Sequence, residues 1–250
     1  MLWQHCNIYI TDVNSIAQSF CINMQCYADD LQLYIHCRPN EAAVGVARLL
    51  SCIAAIDAWM NANRLKMNPD KTQVIWLGSK QQLAAVNITP LHLHDGTVIT
   101  PSTSVKSLGV TFDSELTMAE HVNNVARSCF VHLRQLRFIR HSLTHESAKL
   151  LIHAFISSRV DYCNSVMYGA TRQVARKLQA VMNATAQLVT GLGRFDHVTR
   201  VLRDELHWLP IKQRVDYKIA LLVYKCLHGL GPSYLAEYCT AAPTVLCFAR

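Results

Sequence analysis

The chain has 250 residues, of which 51% are hydrophobic and 16% charged, enough for one large domain or two small ones and too apolar for a disordered tail. No uninterrupted run approaches about 18 apolar residues, so no membrane span is expected, and Met1-Leu-Trp-Gln-His-Cys6 lacks the pattern of a secretory leader. The net charge of +7 is lopsided: residues 1–80 hold six basic and six acidic residues, 81–120 hold one and four, and 121–250 hold seventeen and seven. A basic excess confined to the C-terminal half suits a polyanion, most often nucleic acid, or else a solvated basic face. The ten cysteines are scattered without a Cys-x-x-Cys pair, and are expected to be reduced thiols acting mostly as small buried hydrophobes.

Residues 8–10 and 21–27 are apolar and rich in strand formers. Segments 22–27 and 31–35 flank a short polar tip, which predicts a hairpin with Asp29 and Asp30 at its turn. Adjacent carboxylates repel and are costly to bury unpaired, so this tip is either a solvated turn or a place for a cation. Asn40 is a suitable helix cap, with Glu41 at the positive end of the helix dipole. Val46, Leu49, Leu50, Ile53, Ile56 and Met60 then recur at helical spacing, and the helix should end near residues 61–64. Asn68-Pro69 marks a turn. Residues 72–77 read as a strand stopped by Gly78, residues 91–99 as a second hairpin around Asp95-Gly96, and residues 107–112 as a further strand.

Beyond about residue 116 the periodicity is helical. In 119–140, Val122, Ala126, Cys129, Leu133 and Leu136 make one stripe, with Arg127 and Arg134 opposite it and Arg137 on the flank. Further helices are expected over 145–160, capped by Thr144, and over 171–190, 196–207 and 211–228, the last stopped by Gly229-Leu-Gly-Pro232. The fold class is therefore α+β, with a mixed domain over 1–115 and an all-α region over 116–250. His92 with His94 and His141 with His145 lack the companions of a zinc site and are expected to be surface or half-buried.

Tyr27-Ala-Asp-Asp30 at a hairpin tip has the form of a polymerase metal site, where two divalent ions activate a primer hydroxyl and hold a triphosphate. Hard Mg²⁺ takes carboxylate oxygens. The neighbouring blocks are Ile8-Tyr-Ile-Thr-Asp-Val13, Trp59-Met-Asn-Ala-Asn-Arg-Leu-Lys-Met-Asn-Pro-Asp-Lys-Thr72 and Ser107-Leu-Gly-Val-Thr-Phe-Asp113. Leu206-His-Trp-Leu-Pro-Ile211 and Tyr224-Lys-Cys-Leu-His-Gly-Leu-Gly-Pro-Ser-Tyr234 follow. On these residues, in this order, the sequence resembles the reverse transcriptase of non-LTR (LINE-type) retrotransposons. The resemblance implies a partial polymerase palm over 1–115 and a thumb-like helical region after it. It implies Asp29 and Asp30 as catalytic ligands of Mg²⁺, Tyr27 and Ala28 beside the primer end, and Lys71 near the incoming triphosphate. Arg127, Arg134 and Arg137 would lie on a helix that tracks backbone phosphate. The implied partners are an RNA template and a DNA primer, with nucleotides as the small-molecule substrate and no membrane. The implied location is intracellular, at nuclear DNA.

The resemblance also implies an upstream fingers region, a Gln-Gly-rich block and another metal-binding aspartate. Asp12 is the sole carboxylate upstream of Asp29 and is too close to serve as that ligand. The chain is therefore expected to be catalytically incomplete, a polymerase fragment holding Mg²⁺ weakly. The alternatives are a non-catalytic nucleic-acid-binding helical remnant, an interaction scaffold, or a decayed element copy without selected function.

Overall fold

The computed structural model describes residues 2–28, 30–193 and 196–240, with side chains described from residue 11 onward. The chain divides into two compact units, Met1–Ser107 with Phe112–Leu116, and Leu108–Thr111 with Thr117–Arg250. The described elements are helices and three two-stranded sheets, an α+β composition.

The first unit opens with α1 (Leu2–Ser19), not with a strand at 8–10. Three apolar residues there are too few to distinguish strand from helix, and the helical register continues through Val13, Ile16 and Ala17 onto a buried face. The helix ends at Cys21, which takes the left-handed conformation (φ 52°) while the Ile22 N–H donates back to the Ala17 carbonyl at 3.0 Å. That closure delivers the chain into β1 (Asn23–Tyr27), which pairs antiparallel with β2 (Asp30–Tyr34) in the register Met24 opposite Leu33 and Tyr27 opposite Asp30. Met24, Leu31 and Leu33 pack towards Val13, Ala17, Cys52 and Ile56, while Gln25, Gln32 and Tyr34 face solvent.

A 3₁₀ turn (Pro39–Glu41) leads into α2 (Ala42–Ala62). The expected cap at Asn40 is replaced by this turn, in which the Glu41 carboxylate accepts the Arg38 backbone N–H at 3.4 Å. Of the expected stripe only Ile56 is fully buried; Ala42, Gly45 and Cys52 complete the covered face. Pro39–Ala62 also corrects the expectation about membranes. By length and composition it could cross one, with Glu41, Arg48 and Asp57 as its only charges. A single helix of that kind argues only weakly for a membrane, and this one packs on α1 and the hairpin.

Residues 72–77 do not form the expected strand. They run extended and make one isolated parallel bridge, Ile75 to Ser102, because no strand lies alongside for a longer ladder. A short helix α3 (Lys80–Ala84) follows, opened by a reciprocal Ser79–Gln82 capping box that apolar periodicity does not reveal. The expected hairpin at 91–99 is present as β3 (Leu91–His92) and β4 (Val98–Ile99), turned by Gly96 at φ 86°. Asp95 in that turn accepts the Thr97 backbone N–H and hydroxyl, both at 2.9 Å, which lowers its carboxyl pKa. The strand expected over 107–112 is interrupted by a turn at Leu108-Gly109, between β5 (Ser104–Ser107) and β6 (Val110–Asp113).

The second unit is helical. In α4 (Ala119–Ile139) the stripe Val122, Ala126, Cys129, Leu133 and Leu136 is buried as its spacing requires. It packs on α7 (Arg172–Thr190), which contributes Val174, Leu178, Val181, Met182, Ala186 and Val189. Between them run α5 (His145–Ile152), capped by the Thr144 hydroxyl on the Ser147 N–H, and α6 (Ser158–Asp161). A π turn at His153–Ser157 joins those two, and a second π turn at Val201–Glu205 follows the short α8 (Val198–Arg200). Then α9 (Ile211–Leu227) starts after Pro210 and stops at Gly229, and α10 (Ser233–Ala236) follows. The Arg214 guanidinium meets the Asp161 carboxylate at 2.7 Å and ties α9 to α6.

No disulfide joins the described cysteines, and only Cys52, Cys129 and Cys226 of these are buried, fewer than expected. Burial raises the thiol pKa of Cys52 and lifts that of Cys129 to about 11, so both stay protonated at neutral pH.

Arg140 closes the C-terminal end of α7. Its guanidinium donates to the Leu188 carbonyl at 2.9 Å, the Val189 carbonyl at 2.8 Å and the Leu143 carbonyl at 3.0 Å. A lysine cannot spread donors over three acceptors in a plane. Arg140→Lys should therefore lower the urea unfolding free energy by about 2 kcal/mol. His121 on α4 is buried and accepts the Thr111 N–H at Nδ1, 3.3 Å away. Burial depresses its pKa below the ordinary 6.5, so the unfolded chain binds this proton first as pH falls. The stability it contributes is fully present above pH about 6.5 and is lost as pH falls from there through the folded pKa. Chemical denaturation at stepped pH should show this slope, and His121→Gln should flatten it.

Candidate functional site: the acidic hairpin tip

The tip is built by strand alternation. Apolar residues on one face of β1 and β2 are held down on α1 and α2, so the ends of the ribbon project from that support. Gln32 on the opposite face donates to the Ser107 hydroxyl, which ties β2 to β5.

Tyr27 ends β1 with 61% of its surface exposed. Ala28 occupies the first loop position at φ 55°, the left-handed conformation that two-residue hairpin loops require. A residue with a β-carbon is strained there by about 1 kcal/mol. The Cys26 thiol donates to the Ala28 carbonyl at 3.6 Å. Asp29 lies outside the described residues. Asp30 is exposed, but it is not a turn residue as expected: it is the first residue of β2, paired across the ladder with Tyr27.

Lys71 closes the 3₁₀ turn Pro69–Lys71 and is exposed. Asn68 organises that turn, accepting the Asp70 N–H on its side chain at 3.1 Å and the Thr72 hydroxyl on its carbonyl at 2.9 Å. Among the described residues no hydrogen bond or ion pair joins Lys71 to Asp30. No group of three or more histidine, cysteine, aspartate or glutamate side chains converges among them either. The donor set for a two-ion site is therefore not complete in the described residues, and the tip offers Asp30 with its neighbour Asp29.

Arg127, Arg134 and Arg137 are all exposed on α4, the first two opposite its buried stripe and Arg137 on its flank, and among the described residues none of them makes a hydrogen bond or ion pair. The described ion pairs of this unit are Lys149–Glu146, Arg203–Asp204 and Arg214–Asp161, which leave most of its basic residues uncompensated. His92, His94, His141 and His145 are exposed. Gln32 was not singled out by the sequence, because nothing local signals its tie to Ser107.

Residues 4–112 match the family model for reverse transcriptase (RNA-dependent DNA polymerase). A curated Drosophila melanogaster protein, "Probable RNA-directed DNA polymerase from transposon BS", is 28% identical over 182 residues, covering 71% of this chain and 19% of that protein. The chain thus spans about a fifth of the length of this curated relative. No solved structure matches the chain significantly. The stretch that is similar to the reverse transcriptase family contains β1, β2 and α2, with Tyr27, Ala28 and Asp30 among its residues.

Proposed function

We propose that the chain is part of an RNA-directed DNA polymerase of a non-LTR retrotransposon, with the first unit as a partial palm and the second as a thumb-like nucleic-acid grip. Exposed Tyr27, Ala28 and Asp30 on a supported ribbon, inside a Tyr-Ala-Asp-Asp sequence in the stretch matching the family, carry this reading. Family members generally use divalent metals, and Asp29 and Asp30 are the residues that would hold Mg²⁺. Two adjacent carboxylates supply only part of what two ions need, since Mg²⁺ gives up water reluctantly. Tyr27 and Ala28 would border the primer end, and Lys71 would meet the triphosphate. The partners on this reading are an RNA template and a DNA primer, met at nuclear DNA.

The chain by itself is expected not to polymerise. Purified protein given a primed RNA template, Mg²⁺ and deoxynucleotides should incorporate no label above background. Incorporation abolished by Asp29→Asn would overturn the view that the site is incomplete.

Nucleic-acid binding does not need that site. The excess of seventeen basic over seven acidic residues in 121–250, with exposed Arg127, Arg134 and Arg137, supports a grip on phosphate. For the full chain on duplex, log K against log salt should be steep. Replacing the three arginines by glutamine should reduce the slope by about 0.9 for each phosphate that they neutralise. A flat salt response of the unaltered chain would remove this reading.

A further inference from the structure

We infer that the outer face of α9 is a stacking track for single-stranded nucleic acid, formed by Tyr217 and Tyr224 and held by Lys218 and Lys225. This rests on the nucleic-acid reading above and assigns it a surface separate from the arginines of α4. The dipeptide Tyr-Lys occurs twice in α9, seven residues apart. At 3.6 residues per turn that spacing brings both tyrosines to one face and both lysines to the stripe beside it. The helix buries Ile211, Val215 and Cys226 on its inner side, so the tyrosines point outward, 61% and 55% exposed.

The two pairs repeat about 10.5 Å apart along the axis at 1.5 Å per residue. A stacked strand advances about 3.4 Å per nucleotide, so the repeat fits a step of three. Between the rings, Ala220 lies exposed on one side and Leu221 lies half-buried on the other. The Tyr224 ring is stacked on His228, with centroids 4.0 Å apart and planes at 28°. That stacking orders the ring before any ligand arrives and leaves over half of the residue open.

The surrounding charge selects the occupant. Asp216 is the sole acidic residue of α9, and Lys218 and Lys225 are exposed with no ion pair among the described residues. A partner helix would use the rings but gain little from two uncompensated ammonium groups beside them. A single strand uses both features, because its bases carry π-faces and its backbone carries phosphate.

The test uses the full chain with a single-stranded oligonucleotide containing 2-aminopurine and a duplex of equal length. The proteins are the unaltered chain, Tyr217→Leu/Tyr224→Leu and Lys218→Gln/Lys225→Gln. All four positions are exposed, and circular dichroism melts check that folding is intact. Stacking predicts quenched fluorescence on binding. The tyrosine variant should lose quenching and about tenfold single-strand affinity per ring, with duplex affinity unchanged. The lysine variant should lower the single-strand salt slope by about 0.7 for each lysine that meets a phosphate. Unchanged single-strand affinity in the tyrosine variant overturns the inference while leaving the duplex grip standing. A change of oligomeric state in place of binding also overturns it, and marks the face as a protein interface. Failure of the unaltered chain to bind either nucleic acid removes this inference and the broader reading together.

Discussion

Covering one side of the β1–β2 ribbon is the constraint on which the first unit depends. A two-stranded ribbon alone is marginal in water, so Met24, Leu31 and Leu33 need α1 and α2 beneath them. The side-chain period of two then decides the rest. With those residues inward, Gln25, Gln32 and Tyr34 must face out, and Tyr27 and Asp30 stay exposed at the end of the ladder. A one-residue slip would exchange the faces and bury polar groups without partners. Tyr27 and Asp30 thus take their positions from apolar residues on the other face of the ribbon.

The helical unit solves a different problem. Its stripe-on-stripe packing of α4 against α7 leaves the basic residues on the outer surfaces, and few of those charges are neutralised by neighbours. Arg140 turns inward, meeting the carbonyl ends of α7, as Arg214 does towards Asp161. The same residue type thus serves structure at Arg140 and Arg214 and stays exposed without a described partner at Arg127, Arg134 and Arg137, and only the local supply of acceptors separates the two cases.

Much of this could be read from the residues alone. The hairpin was legible because apolar runs flank a tip of turn formers, and α4 because five apolar residues keep a helical period without interruption. Thr144 was legible as a cap, since its hydroxyl needs only the local N–H of Ser147. Where the expectation failed, partners distant in sequence decided. Residues 72–77 have strand composition, but a strand exists only where another lies beside it. Residues 8–10 were too short a run to carry a period. Leu108-Gly109 hid inside an apolar stretch, and its positive φ at a leucine is not a composition signal. The position of Asp30 followed from loop length, which the pair of acids disguised.

The π turn at His153–Ser157 has a consequence for how this region tolerates change. A π turn holds one residue more than an α turn, so everything after it is rotated by roughly 100° relative to an uninterrupted helix. Val160 reaches the core and Asp161 reaches Arg214 only with that extra residue in place. Point replacements along the bulge leave the phase intact. Loss of a single codon would restore a regular helix, turn Asp161 aside and unmoor α9, so lineages carrying this segment should accumulate substitutions there while conserving its length.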